Sequence, residues 1–174
     1  MHNLIEKKHT FVNKCTFNNI KSVVVINKLE LKQMPTRSEL IVISKTRFKE
    51  VKVLHRNKLY DGAHYLSGYV VETALKARIC KILNADYPES GEISRSFLTH
   101  KFDTLVKLGG LQRTLDNELN TNINFKTNWS LVTSWSEAFR YKPIGTSSQS
   151  DIEDIINALQ DPNDGILTWI RKRW

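Results

Sequence analysis

Residues 60–79, Tyr-Asp-Gly-Ala-His-Tyr-Leu-Ser-Gly-Tyr-Val-Val-Glu-Thr-Ala-Leu-Lys-Ala-Arg-Ile, constrain this chain more than any other segment. Leu66, Tyr69, Val70, Thr73, Ala74, Ala77 and Cys80 recur at helical steps and define a wide apolar face. Glu72 and Lys76 lie four residues apart, so they stand one turn from each other on that helix. Asp61 is placed as its N-cap. Gly68 in the interior costs roughly 1 kcal/mol relative to alanine, a cost that close approach of another helix would offset.

The other segments also read as helices. Thr36 and Glu39 have capping-box spacing, and Leu40, Ile41, Phe48, Val51 and Leu54 carry an apolar stripe to about His55. Residues 57–60 form a short connection, and residues 84–94, with Pro88 and Gly91, form a loop. A third helix is predicted from Thr99 to the stop at Gly109 and Gly110, with residues 111–119 continuing it after a kink. Residues 120–124 read as irregular. Trp129, Val132, Trp135 and Phe139 predict a fourth helix with an aromatic stripe. Ser150 and Glu153 predict a second capping box, followed by Ile152, Ile155, Ile156 and Leu159 on one face. Residues 161–165 break the chain before a last short helix through Ile166, Trp169 and Ile170. Helices joined by short connections predict an all-α fold, an antiparallel bundle of four to five helices.

Composition narrows the class. A chain of 174 residues supports one domain with a real core. Its longest strongly apolar run, residues 23–26, falls far short of a membrane span. The first residues lack the apolar region of a secretory signal. Cys15 and Cys80 make neither a disulfide framework nor a metal site, so a cytoplasmic setting is expected, with no metal and no cofactor.

The net charge of +8 is uneven. Residues 1–33 hold six lysines against two glutamates, a net +4 in the first fifth of the chain. That stretch lacks a helical period, and its strand-like residues 21–32 have nothing to pair with. Residues 1–33 are therefore expected to be a poorly ordered basic extension, with Met34 as the natural initiator and residues 34–174 as the folded domain. The remaining charge reads as a solvated surface rather than a dedicated nucleic-acid patch.

Three stretches resemble HEPN proteins, small all-helical modules named for nucleotide binding in higher eukaryotes and prokaryotes. Residues 61–77 are similar to a prokaryotic HEPN second helix of the form DGAxYLxGYxxExALKA. Residues 99–105, Thr-His-Lys-Phe-Asp-Thr-Leu, resemble its HKLxxL segment, and residues 135–143 its WxxxxRYxP segment. The resemblance spans roughly residues 34–174. It implies an antiparallel bundle, commonly homodimeric, and a role in a prokaryotic toxin–antitoxin or defence system beside a nucleotidyltransferase-like partner.

Ribonuclease members of that family use Arg-x4–6-His, in which arginine faces the scissile phosphate and histidine moves a proton at the 2′-hydroxyl. Arg140 has no histidine at that spacing, because residues 145–147 are Gly-Thr-Ser. The formal match is Arg95 to His100, away from the family's usual position. The favoured expectation is a non-catalytic or weakly catalytic binding module that contacts a nucleotide or RNA. The alternative is a metal-independent RNase toxin using Arg95 and His100, or Arg140 with a base outside the motif.

Each candidate residue has a plainer reading beside the functional one. Glu72 and Lys76 form a surface ion pair, or Glu72 lines a cleft and holds Arg140. Arg140, with Tyr141 beside it, binds carbonyls at a helix end, or meets a phosphate or nucleotide. His100 is a helix-opening residue packed on the second helix, or a catalytic group. His55 and His64 are expected to be exposed, and Trp129, Trp135, Trp169 and Cys80 to be core.

Overall fold

The computed structural model describes residues 35–88 and 97–174. Those residues belong to one compact unit, Met34–Trp174. The expectations for residues 1–33 and for Arg95 lie outside the described residues.

The first helix, α1 (Arg37–Arg56), opens as its capping box predicts. The Thr36 hydroxyl accepts the Glu39 N–H at 3.2 Å, and the Glu39 carboxylate accepts the Thr36 N–H at 2.8 Å. Such a cap contributes about 1 kcal/mol. Three residues then return the chain into α2 (Tyr60–Leu83), so α1 and α2 pack antiparallel along their lengths. Ser44 ties them together, donating its hydroxyl to the Val70 carbonyl at 2.8 Å.

Helix α2 is the centre of the bundle. Twelve of its 24 residues are buried, spread around the helix rather than along one stripe, which requires neighbours on several sides. Those neighbours are α1, α3 (Phe102–Leu108), α6 (Gln149–Gln160), α7 (Ile166–Arg171) and a 3-10 turn at Glu137–Tyr141. The helices α4 (Gln112–Thr121) and α5 (Ile123–Thr133) complete the bundle, and α5 packs on α6 and α7. The fold is an all-α helical bundle with no strand among the described residues. No described helix is long and apolar enough to cross a membrane.

Several boundaries differ from the sequence expectation, each for a local reason. Asp61 is not the N-cap of α2; Leu59 stands there without a side-chain bond, and Asp61 turns to another loop. The third helix starts at Phe102 rather than Thr99, because the Thr99 hydroxyl takes the Lys101 N–H and holds a turn. The chain turns at Gly110, at a φ of +64°, a region that favours glycine. Residues 120–124 are not irregular. Helix α4 runs through Thr121, and Asn122 caps α5 by accepting the Phe125 N–H at 3.1 Å. The predicted fourth helix stops at Thr133, where the Ser134 hydroxyl donates back to the Leu131 carbonyl. Trp135 and Phe139 therefore leave the helix they were assigned to, although Trp129, Trp135 and Trp169 are all buried. The second capping box is Ser148 with Asp151, not Ser150 with Glu153.

Candidate functional site

The stretches singled out in the sequence meet around the middle of α2. Gly68 makes the meeting possible. A Cβ built there would lie 2.0 Å from the Trp135 indole, so the close approach is by a ring and not, as expected, by a helix. Trp135 fills that notch, donates its Nε1–H to the Tyr65 carbonyl at 3.0 Å and stacks on Phe102 with ring centroids 5.5 Å apart. The segments beginning at residues 99 and 135 are thus fixed to α2 through one side chain.

Beside this joint sits Glu72, only 3% exposed. Its Oε1 pairs with Lys76 Nζ at 2.9 Å and its Oε2 accepts His100 Nδ1–H at 2.8 Å. A carboxylate with two cationic or N–H partners can be buried at tolerable cost, whereas one without them cannot. The surface ion-pair reading of Glu72 and Lys76 is therefore corrected: the pair is internal. The Glu72–Arg140 pairing is corrected too, because His100 and Lys76 take the two oxygens.

Hydrogen bonding to a carboxylate places the His100 proton on Nδ1 and leaves Nε2 without a partner among the described residues, on a side chain 41% exposed. That arrangement can accept or deliver one proton. Tyr69 lies edge-on to both His100 and Trp135, and its hydroxyl is 3.0 Å from that of Tyr65. Burial first, then the Tyr65 hydrogen bond and nearby Glu72, push the Tyr69 phenol up to about 12, so it stays protonated.

Arg140 lies in the last turn of the 3-10 segment, exposed, with its guanidinium 5.1 Å from the Tyr141 ring centroid. It binds no helix-end carbonyl among the described residues, which argues against its plainer structural reading. Tyr141 is 81% exposed, and Lys142 beside it lies over the Phe139 ring. An open arginine next to an open aromatic ring offers charge for a phosphate and a face for a base. No group of three metal-ligating side chains occurs among the described residues.

Sequence reasoning missed a second cluster at the start of α2. The Asp61 carboxylate accepts the Gly145 N–H at 2.6 Å and the Ser147 N–H at 2.8 Å, and these bonds hold its pKa down. His64, expected to be exposed, is buried; its Nδ1 meets the Ser147 hydroxyl at 2.9 Å and its ring lies 3.9 Å from that of Phe139. The usable signal was the one-turn spacing of Asp61 and His64 on α2. The hydrogen-bond partners, 83 to 86 residues on, left no local trace.

The chain matches no protein-family model, no curated protein and no solved structure.

Proposed function

We propose that this chain is an HEPN-like module that holds a nucleotide or an RNA phosphate at the rim formed by His100, Arg140 and Tyr141 without cutting it. It serves as a binding partner in a prokaryotic toxin–antitoxin or defence system. The homodimer and the nucleotidyltransferase-like partner belong to the same proposal, as does the cytoplasmic setting. The supporting observation is that the segments at residues 61–77, 99–105 and 135–143 converge on one part of α2, through Trp135 at Gly68 and His100 at Glu72. Among the described residues there, His100 is the imidazole placed to move a proton, whereas cutting an RNA strand calls for a base at the attacking hydroxyl and stabilisation of the charged transition state.

A second reading, the metal-independent RNase, draws on the Glu72–His100 pair itself. A carboxylate that fixes a histidine through Nδ1 leaves Nε2 oriented as a general base.

One experiment separates the two. Purified protein is incubated with RNA in EDTA beside His100→Ala and Arg140→Ala, and nucleotide binding is followed by calorimetry. The binding reading expects intact RNA in all three and weaker nucleotide binding in Arg140→Ala. Cleavage that disappears in either variant would replace it with the RNase reading.

A further inference from the structure

We propose that the cleft between α1, the end of α6 and the chain's last residues is a track for single-stranded nucleic acid, separate from the rim at Arg140. The cleft measures about 700 Å³. Lys45, Lys49 and Lys52 enter it from α1, and Arg171 and Trp174 close it from the other side. An adjoining hollow of about 380 Å³ shares Lys52 and adds Arg56.

The spacing carries the argument. Positions 45, 49, 52 and 56 advance by four, three and four residues, so one helix face presents a cation at about every turn. At 1.5 Å per residue the ladder is about 16 Å long. A single phosphate is gripped by cations that converge on a point; a ladder of this length suits a chain of phosphates. These cations lack acidic partners, although Lys52 lies over the Phe48 ring, 4.3 Å from its centroid. None of Lys45, Lys49, Lys52, Arg56 or Arg171 pairs with a carboxylate among the described residues. Among the described residues, no acid lines the larger cleft. The smaller hollow has one acid among its described lining residues, Glu153, which lies 3.5 Å from His55.

The half-buried Trp174 adds the second requirement. Its indole is anchored by an Nε1–H bond to the Ala74 carbonyl at 3.1 Å, with Lys45 and Arg171 both within 6 Å of the ring. A fixed ring set among cations gives a base or sugar an apolar wall while the backbone follows the lysines. A merely solvated lysine face would not need an aromatic wall or an arginine from a second helix. The lysines are set in a row by the helix itself, and the fold adds Arg171 and Trp174 from the far end of the chain.

The test is fluorescence anisotropy with a labelled oligouridine of about twelve nucleotides, using the full chain. The variant Lys45→Glu/Lys49→Glu/Arg171→Glu is compared with Lys107→Glu/Arg113→Glu/Lys126→Glu, which alters net charge equally at exposed positions away from the cleft. The cleft variant is expected to lose about tenfold or more in affinity, with a flatter salt dependence, and the control about twofold. Glutamine replacements at the three cleft positions should reproduce a smaller loss in the same order if the glutamate variant fails to fold by circular dichroism. Arg140→Ala should leave this binding unchanged, which keeps the result independent of the proposed rim. Equal losses in the cleft and control variants would overturn the proposal. So would absence of binding at low salt, or cleft-dependent binding to phosphatidylserine vesicles with none to RNA.

Discussion

Two carboxylates on one helix are used in opposite ways. Asp61, near the start of α2, accepts two backbone N–H groups from the loop at residues 145–147. Glu72, three turns on, accepts from two side chains, Lys76 and His100. Backbone partners cannot titrate or swing away, so Asp61 acts as a fixed clamp that sets where a loop begins its next helix. Side-chain partners can do both. Glu72 consequently supports a group with one nitrogen free for chemistry or recognition, at the cost of depending on its neighbours to remain buried. The lesson is that a charge on a central helix is interpreted through its partners, not its exposure alone.

The sharpest way to break this contrast is to remove the buried acid. Glu72→Ala leaves the Lys76 ammonium half-buried without its counter-charge and frees His100. A loss of about 3–5 kcal/mol in unfolding free energy is expected, as for other buried pairs stripped of one member. Urea unfolding checks it. The double variant Glu72→Leu/Lys76→Leu should recover much of the loss, because removing both charges removes the orphan. A single variant as stable as the parent would mean that Glu72 is not the internal anchor described here.

Next in size is Gly68→Ala, which asks whether the joint beside Glu72 is rigid. A methyl group there meets the Trp135 ring at 2.0 Å, and that ring is held by Phe102 and by the Tyr65 carbonyl. The helix-propensity gain of roughly 1 kcal/mol is outweighed by overpacking, so a net loss of about 1–3 kcal/mol is expected. Tryptophan fluorescence should shift as Trp135 leaves its notch. A stabilised variant with unchanged emission would show that the indole moves aside freely.

These two residues also mark what could be learned before the structure. The helical period of residues 60–79 made α2 and the all-α class legible, because the 3.6-residue repeat is written locally. Gly68 signalled close approach without naming the approaching group. The Thr36 cap was legible for the same local reason as the repeat. The second box was misplaced by two residues, since Ser148–Asp151 and Ser150–Glu153 both pair a serine with an acid three residues on. What decides between them is the Asp61 clamp, which fixes the backbone at Ser147 just before the true cap. Glu72 and Lys76 were legible as a pair, but their burial was not: it depends on His100 arriving from the loop before α3. Long-range arrivals of that kind, like Trp135 into Gly68, leave no periodic trace.

The smallest expected effect tests the Asp61 end by pH. Beside the clamp, His64 is buried, and burial first, then the nearby Lys142, lower its pKa, while Asp151 and Asp61 act the other way. A histidine whose folded-state pKa is depressed binds its proton more readily when unfolded. Stability is therefore greatest above the unfolded value of about 6.5 and declines as pH falls below it, by at most about 1.4 kcal/mol per pH unit. Asp61 and Asp151, both held below the ordinary carboxylate range by hydrogen bonds, contribute stability that is present above about pH 4 and lost only as pH drops through their folded values. The two windows therefore open in order: His64 begins to act first on acidification, below about pH 6.5, and the carboxylates begin below about pH 4. Thermal melts of the parent and His64→Gln from pH 7.5 to pH 3 resolve them. The variant should have the shallower slope as pH first falls below about 6.5, because it lacks the histidine that takes up a proton on unfolding. Parallel curves throughout would mean that the His64 ring is not shielded from solvent protons behind Ser147 and Phe139, and that the loop held by Asp61 opens in solution.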